Sequence, residues 1–296
     1  MSNHNGMPPE ILSFIASEAG SAALESPQDD EDGRTAVAMM DKVNVESSVD
    51  LINLSASLCG ELKDATVLEI GPGQGAATAE LLRHELKSLT VFEVSPLFRI
   101  ILCENPDFSE ALQNNILTIV GEDAIVALPH IPDSSVDLIV GMNVVYFLHP
   151  LNIHLHEMLR VLKPNGRLVF GTKQPGAKLG SKKHFVNTDN DAIVSAMLSA
   201  GFVNAVVGDT RLLTDPQTPP MYVPVMGKKP FLEEELEFVQ QQQQQTHNFL
   251  VMAALVAAAN CVAPEGVAIP STNVNSGEEQ ALESEGEMEM EEDGTQ

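Results

Sequence analysis

The sequence VLEIGPGQG at residues 67–75 decides the fold. Its apolar run carries Glu69 near the end and continues into Gly71, Gly73 and Gly75. Glycine adopts positive φ without strain and has no Cβ, so the backbone N–H groups of such a turn can approach a ligand closely. A helix that follows the turn directs its partial positive charge towards an anionic group. The stretch therefore predicts a strand, a ligand-binding turn and a helix.

The spacing of these glycines matches two kinds of nucleotide site. Gly71-x-Gly73-x-x-Ala76 fits the fingerprint of dinucleotide-binding domains, which would make the chain an NAD(P)-dependent oxidoreductase. The longer pattern, an acidic residue followed by three alternating glycines after a strand, resembles the first motif of the class I S-adenosylmethionine-dependent methyltransferases. The glycines alone leave both alternatives open.

Between residues 36 and 230, short apolar runs alternate with segments of helical period. The runs are too dense in apolar residues for a one-sided sheet, so we predict buried parallel strands. The predicted strands are 65–70, 89–94, 116–120, 136–141 and 166–171. The predicted helices are 76–85, 97–112 and 151–162, preceded by a helix over 48–62 with Ser48 as a possible cap and followed by one that Thr188 opens and Gly201 ends. This βαβα order indicates right-handed crossovers, with helices on both faces.

The last third of the domain separates the two alternatives. Residues 202–208 and 221–226 are predicted as two strands joined through a proline-rich turn with no helix between them, which makes a β-hairpin. A doubly wound, seven-stranded, mostly parallel sheet that ends in an antiparallel hairpin is the order of class I methyltransferases. A dinucleotide-binding domain would lead into a sixth parallel strand and usually a substrate domain.

The charges of the 296-residue chain are uneven, and they set the predicted boundaries. The formal net charge of −26 belongs mostly to the ends, because only Arg34 is basic before residue 36 and no basic residue follows Lys229. Segments of that composition bury too little apolar surface to offset chain entropy. We therefore predict a disordered tail at 1–35, a methyltransferase-like domain at 36–230, a spacer with an apolar helix at 231–263 and a disordered acidic tail at 264–296.

Composition also narrows the partners and the compartment. An acidic chain without a long basic stripe is an unlikely nucleic-acid binder. Cys59, Cys103 and Cys261 are scattered without paired or metal-ligand spacing, which indicates a reducing compartment, so we expect a cytoplasmic protein without a metal site. The apolar segment 249–263 is shorter than the roughly 20 residues that span a bilayer. It is expected to cover a groove on the domain or to bind a protein partner.

The resemblance to class I methyltransferases extends over roughly residues 50–230 and implies roles for individual residues. Glu69 would stand near the amino group of the methionine moiety. Glu93, 22 positions after Gly71, would accept both ribose hydroxyls; the alternative is a solvated acid at a strand end. In the Gly-Glu-Asp-Ala segment at 121–124, Asp123 would accept the adenine amino group and Ala124 would lie beside the ring, with a one-residue slip to Glu122 as the alternative.

Other parts of the resemblance are structural or concern the acceptor. Asp137 begins the fourth strand in a structural role, and the Arg-Val-Leu-Lys-Pro-Asn-Gly turn at 160–166 closely resembles a characteristic turn before the fifth strand. Asn143 is expected beside the methyl donor. Tyr146 either walls the acceptor pocket or packs in the core. Residues before Ser48 and the loop 173–187 are expected to gate the acceptor site.

The implied reaction is transfer of a methyl group from S-adenosylmethionine by in-line displacement, which mainly requires proximity and alignment. A general base is optional, and the candidates are His149, His154 and His156, each with a packed or solvent-facing role as the alternative. His154 and His156 lie two apart on a predicted helix and cannot share a face, so they do not form a metal pair.

Three functions thus remain. A small-molecule methyltransferase is the leading prediction, because no Asn-Pro-Pro-Tyr-like segment follows the fourth strand. A non-catalytic methyltransferase-like interaction protein is the main alternative, and an oxidoreductase is the third.

Overall fold

The computed structural model of the chain describes residues 17–173, 183–212 and 221–231, with residues 244, 248, 251 and 252. The chain divides into two units, Met1–His247 and Asn248–Gln296, and the fold below belongs to the first. Apart from those few positions, the predicted spacer and apolar helix at 231–263 and the predicted tail at 264–296 lie outside the described residues. No helix in the described part of the chain is long and apolar enough to cross a membrane.

The centre of the domain is one mixed sheet. Its strands are β1 (Thr66–Ile70), β2 (Ser88–Phe92), β3 (Leu117–Val120), β4 (Val136–Met142), β5 (Leu162–Thr172), β6 (Val203–Val207), β7 (Arg211–Leu212) and β8 (Met221–Lys228). The spatial order is β3-β2-β1-β4-β5-β8-β6, and the two-residue β7 pairs with β8. Strands β1 to β5 are parallel, whereas β8 runs antiparallel to both β5 and β6. The predicted doubly wound sheet with an antiparallel end is confirmed.

Apolar side chains cover both faces of the sheet, which explains the continuous apolar runs. Alternate residues of a strand point to opposite faces. Ile139 of β4 and Phe170 of β5 belong to a buried cluster with residues of the helices over 151–161 and 190–200. Leu138 and Val169, one position earlier in each strand, belong to a second buried cluster with Leu51 of a long N-terminal helix.

Helices pack against both faces of the sheet and form the two buried clusters with it. They are α1 (Glu18–Glu25), α2 (Glu31–Cys59), α3 (Ala76–Leu81), α4 (Pro96–Glu104), α5 (Ser109–Gln113), α6 (Ala124–Ala127), α7 (Leu151–Val161) and α8 (Asn190–Ala200). Short 3₁₀ turns cover Leu82–His84, Pro106–Phe108, Leu128–His130 and Val145–Phe147. Asp189, not Thr188, caps α8, and Gly201 ends it with φ of 106° as predicted.

One predicted helix is divided. The helix expected over 97–112 ends at Glu104, and Asn105 is extended with φ of −67° and ψ of 117°. The ring of Pro106 excludes the helical conformation at the residue before it and removes a backbone donor. A 3₁₀ turn and α5 then complete the crossover.

The largest error concerns the N-terminus. Residues 17–35, predicted as disordered, form α1 and the first turn of α2, and the helix expected from Ser48 begins at Glu31. Asp30 caps α2 by accepting a hydrogen bond of 2.7 Å from the Gly33 N–H. Glu31 and Asp32 occupy the first turn, where the helix dipole favours negative charge. The acidic run is therefore a helix start.

Two of the polar contacts that join distant elements are made by aspartates. Asp137 at the start of β4 accepts hydrogen bonds from the Thr66 N–H at 2.8 Å and from Lys163 Nζ at 2.7 Å, which confirms its structural role. Asp50 of α2 accepts two hydrogen bonds of 2.8 Å from the Arg211 guanidinium and one of 2.7 Å from the Tyr222 hydroxyl. The second contact fixes α2 against β7 and β8.

The cap at Asp30 gives a test of the corrected N-terminus. We expect Asp30→Ala to destabilise the start of α2 by about 1 kcal/mol, because the first-turn N–H groups lose their acceptor. Hydrogen exchange at the amide of Gly33 should then accelerate by about fivefold.

The matched control is Asp29→Ala. Asp29 pairs with Arg34, but both side chains are more than half exposed, so the effect should stay within about 0.5 kcal/mol. Equal exchange in both variants and the parent would show that residues 30–35 are not held as a capped helix.

Candidate functional site

A cavity of about 560 Å³ lies where the parallel strands end. Its floor is formed by the residues that follow β1, β2, β3 and β4 at their carboxyl ends, the usual ligand position in open α/β sheets. The eight predicted binding residues all line it: Glu69, Gly71, Gly73, Gly75, Glu93, Asp123, Ala124 and Asn143. The structure thus brings together residues that are separated by up to 74 positions in the sequence.

The three glycines after β1 have positive φ values of 66°, 57° and 89°, but they serve different purposes. A Cβ at Gly71 would lie 2.7 Å from Val144 Cγ2, and one at Gly75 would lie 2.7 Å from Phe108 Cε2. These two glycines are required for packing. A Cβ at Gly73 would meet nothing closer than the Phe98 ring at 3.9 Å, so Gly73 borders the open space of the cavity.

Glu93 follows β2 and is bonded directly to the glycine turn. Its carboxylate accepts hydrogen bonds from the Gly73 N–H at 3.0 Å and from the Ser95 N–H at 2.8 Å. The residue is 4% exposed, which excludes the solvated acid considered from the sequence. Each carboxylate oxygen has a second lone pair, so Glu93 can still accept from a ligand.

Glu69 lies in β1 beneath the turn and is 2% exposed. Its Oε2 accepts a hydrogen bond of 2.7 Å from the Thr78 hydroxyl of α3. Thr78 was not among the predicted site residues, because nothing in the sequence distinguishes a helical threonine that faces a strand from one that faces solvent.

Burial perturbs both carboxyl groups. Desolvation raises the pKa of Glu69 to about 7, opposed by the Thr78 hydrogen bond and reinforced by the charge of Glu93. Desolvation also raises the pKa of Glu93 to about 7, although the N–H groups of Ser95 and Gly73 favour its ionised form. Two carboxyl groups that titrate near neutral pH in one cavity mark a candidate site for a cationic or hydroxyl-bearing ligand.

Asp123 follows β3 and caps α6. Its Oδ1 accepts a hydrogen bond of 3.0 Å from the Ile125 N–H and lies 3.5 Å from His154 Nε2. The interaction with His154 lowers the pKa of Asp123, against the opposing effect of partial burial. Glu122 lines the cavity as well, so the two neighbouring acids remain alternatives for a ligand amino group.

Asn143 follows β4 with φ of 55°, and its N–H donates to the Gly171 carbonyl at 2.8 Å. Asparagine tolerates this left-handed conformation better than most residues. The turn places Val144 between Gly71 and Gly141, where an added Cβ would lie within 2.7 Å of it in either case. Val144 therefore joins the ends of β1 and β4.

Tyr146 does not wall the cavity. Its ring is 2% exposed, it belongs to the hydrophobic core, and its hydroxyl accepts a hydrogen bond from the Lys173 N–H. The 3₁₀ turn Val145–Phe147 directs Tyr146 inwards and the adjacent Phe147 to the cavity wall. The core alternative for Tyr146 therefore holds, and the aromatic residue of the wall is its neighbour.

The candidate bases do not reach the cavity either. His149 is exposed, and His156 is an exposed residue of α7 whose Nδ1 contacts the Asn152 carbonyl. His154 is 1% exposed, behind Asp123. No histidine occurs among the described residues that line the cavity, and no cluster in the described part of the chain has the ligands for a metal ion.

Helices α1 and α2 complete the wall from the other side. Glu25 of α1 and Val45, Ser48 and Val49 of α2 line the cavity. The Gln74 side chain in the glycine turn donates to the Val37 carbonyl at 2.9 Å. The expectation that residues before Ser48 gate the site agrees with the position of Glu25 and Val45 in the lining.

Ion pairs hold α1 in place. Lys183 Nζ lies 2.6 Å from Glu18 and His184 Nδ1 lies 2.5 Å from Glu25. The Ser95 hydroxyl donates to the Pro27 carbonyl between the two helices. Residues 174–182 of the predicted gating loop lie outside the described residues.

Comparison with known proteins shows a similarity to methyltransferases. Residues 68–170 match the family model described as a methyltransferase domain. Among solved structures, the N-methyltransferase NodS from Bradyrhizobium japonicum WM9, in complex with S-adenosyl-L-homocysteine, has a TM-score of 0.51 at 19% identity, over 72% of this chain and 100% of that chain. This similarity shows a common fold.

A second structure is the 1,6-didemethyltoxoflavin-N1-methyltransferase from Burkholderia thailandensis, bound to 1,6-didemethyltoxoflavin and S-adenosylhomocysteine. It has a TM-score of 0.48 at 15% identity, over 78% of this chain and 93% of that chain. No curated protein matches the chain in sequence.

The buried Glu69 gives a test by pH. Its pKa is raised from 4.5 to about 7 in the folded chain, so the unfolded state ionises first as the pH rises and stability falls between these values. Below pH 4.5 Glu69 is protonated in both the folded and the unfolded state, so this loss of stability is absent. Glu69→Gln can keep the Thr78 hydrogen bond and does not ionise. Its free energy of unfolding relative to the parent should therefore rise by about 3 kcal/mol between pH 4.5 and 8.

Urea denaturation at both pH values measures this difference, in which the titration of groups that do not interact with Glu69 cancels. The exposed Glu46→Gln on α2 is the control and should show no such change. A difference between Glu69→Gln and the parent that does not vary with pH would contradict the assignment.

Proposed function

We propose that this chain, whose residues 68–170 match a methyltransferase-domain model, transfers a methyl group from S-adenosylmethionine to a small-molecule acceptor. The observation that carries the proposal is the buried Glu93 carboxylate bonded to the Gly73 N–H, beside a glycine that borders empty space in the cavity. This is a cradle for a nucleoside whose ribose hydroxyls donate to a carboxylate.

The other lining residues fit the remaining parts of the donor. Asp123 stands at the β3 end of the cavity, where it can accept from an adenine amino group, and Ala124 offers a small apolar surface beside it. Glu69 lies at the β1 end, where an ionised carboxylate attracts the cationic amino group of the methionine moiety. Asn143 follows β4, on the other side of β1 from β2 and β3, and lines the same cavity as Phe147.

S-adenosylmethionine supplies a methyl group already activated on a sulfonium, whose departure as a neutral thioether needs no acid. The chain's part is to bind and align, which supplies much of the rate in such transfers. Burial of Glu69 and Glu93 excludes water, which strengthens their attraction for a cationic ligand. No histidine among the described lining residues is placed to act as a base.

The enclosure of the cavity supports a small acceptor. Helices α1 and α2 contribute to the lining together with the strand ends, and Phe147 and Leu148, shortly after Asn143 in the chain, add an apolar surface. Six carboxylates line the cavity: Glu25, Glu69, Glu80, Glu93, Glu122 and Asp123. Arg83, the one basic residue among the described lining residues, is paired with Glu80 at 2.7 Å. Neutral or cationic acceptors are therefore favoured over nucleic acid or other anions.

Donor binding is tested by calorimetric titration with S-adenosylhomocysteine. Gly73→Leu places a side chain in the space assigned to the ligand and should weaken binding by more than about a hundredfold, or 2.7 kcal/mol. Gly60→Leu is the matched control, because Gly60 also has positive φ but caps α2 away from the cavity. It should bind within about twofold of the parent once folded.

This assignment would be contradicted if the parent chain did not bind S-adenosylhomocysteine at millimolar concentration. It would also be contradicted if the Gly73 and Gly60 variants lost the same affinity. Glu93→Ala should also weaken binding, because a carboxylate that accepts from ligand hydroxyls contributes about 1.5–3 kcal/mol.

Catalysis is tested separately with a methyl-labelled donor and a metabolite extract. We expect label to appear in one or a few small molecules with the parent chain, and transfer to fall with Gly73→Leu in proportion to donor occupancy. Donor binding without any transfer of label would overturn the enzymatic proposal and favour the non-catalytic interaction protein.

A further inference from the structure

Glu25 is the carboxylate of the cavity that donor binding leaves without a task. Four of the other lining acids lie in or directly after β1, β2 and β3, where the donor is proposed to bind. The fifth, Glu80, is paired with Arg83 at 2.7 Å. Glu25 comes from α1 instead, and its side chain lines the cavity and is 38% exposed.

Only one oxygen of the Glu25 carboxylate is used within the chain. Oε2 lies 2.5 Å from His184 Nδ1. A carboxylate accepts, so the ring donates through Nδ1, which both the neutral and the charged form of histidine can do. Oε1 has no hydrogen-bond partner among the described residues. Glu25 therefore keeps an oxygen with which it can accept from a ligand in the cavity.

The segment 184–187, which holds Glu25, also packs against the apolar wall of the cavity. The ring centroid of Phe185 lies 4.9 Å from that of Phe147. An asparagine side chain of the segment donates to the Leu148 carbonyl at 2.8 Å. Phe147 and Leu148 both line the cavity, so one short segment ties a carboxylate and an apolar surface to the same site.

The groups that line the cavity select the kind of atom that can be methylated. An alcohol needs a base to remove its proton, and no histidine occurs among the described lining residues. An anionic nucleophile would be repelled by the six acids of the lining. An amine in its neutral form already has a nucleophilic lone pair. Its nitrogen becomes positively charged during the transfer, and a nearby carboxylate stabilises that charge.

We propose that the acceptor is an amine whose amino group binds Glu25 and whose apolar part lies against Phe147 and Leu148. The inference rests on the proposed function and names its substrate class. The nitrogen lone pair forms the N–C bond while the C–S bond breaks and its electrons remain on sulfur, so the positive charge passes from sulfur to nitrogen. An acceptor that arrives as an ammonium ion first releases a proton to solvent, which reaches the partly exposed Glu25.

The parent chain tests the acceptor atom. It is incubated with a metabolite extract and S-adenosylmethionine that carries a ¹³C methyl group, and the products are analysed by mass spectrometry and ¹³C NMR. The chemical shift of the transferred carbon distinguishes a methyl group on nitrogen from one on oxygen, sulfur or carbon. We expect it on nitrogen. Any other atom overturns the inference but leaves the proposed function intact, whereas the absence of transfer contradicts both.

The role of Glu25 is tested with the amine so identified. Glu25→Gln keeps the size of the side chain but removes its charge. Its kcat/KM for the amine should fall by at least about tenfold, because a hydrogen bond to a charged group is lost. Its affinity for S-adenosylhomocysteine should stay within about threefold of the parent, because Glu25 is not assigned to the donor.

The matched control is Glu18→Gln. Glu18 lies 2.6 Å from Lys183 and so also ties α1 to the segment beside His184, but it is not among the described residues that line the cavity. We expect its kcat/KM to stay within about twofold of the parent.

Equal losses in the Glu18 and Glu25 variants would show that both ion pairs only hold α1 in place, and would overturn the role of Glu25. An unchanged kcat/KM in Glu25→Gln would overturn it as well. Glu25→Asp keeps the charge and should retain at least about threefold more activity than Glu25→Gln. If Glu25→Gln does not fold, the atom methylated by the parent chain still decides whether the acceptor is an amine.

Discussion

The reversal of strand order between β1 and β4 is the constraint on which the site depends. Strands β2 and β3 extend the sheet on one side of β1, and β4 and β5 extend it on the other. The segments after β1 and β4 therefore leave in opposite directions and open a crevice between neighbouring parallel strands. Gly71, packed against Val144, closes the bottom of that crevice, and Glu93 reaches it from β2 through the Gly73 N–H.

Two buried carboxyl groups at this crevice reduce stability in exchange for binding capacity. A glutamine or an apolar residue at the position of Glu69 would remove the penalty for burying an ionisable group. Proteins keep such groups where a ligand is to compensate them. The Thr78 hydroxyl and the N–H groups of Gly73 and Ser95 compensate part of the penalty in the absence of a ligand.

Local patterns predicted the sheet well, because each buried strand is an uninterrupted apolar run that ends in turn residues. They failed where the structure depends on contacts between residues that are far apart in the sequence. Helix α2 begins well before Ser48 because Asp30 caps it, and Asp50 holds it against the sheet through Arg211 and Tyr222, which lie more than 160 positions away. In the site, spacing was enough to find Gly73 and Glu93, but one 3₁₀ turn decided that Phe147 and not Tyr146 faces the cavity. The buried contact of His154 with Asp123 depends on the packing of α7 against α6, which no local pattern encodes.

The bond between Asp50 and β8 has a consequence for the order in which the domain can assemble during synthesis. Helix α2 leaves the ribosome early, but Arg211 and Tyr222, which fix it, are among the last residues of the domain to be made. At typical elongation rates, the interval of about 170 residues lasts on the order of ten seconds or more. During that time Leu51 and Ile52, fully buried in the native fold, lack part of their native cover, and apolar surface exposed in this way favours association until β8 closes the sheet.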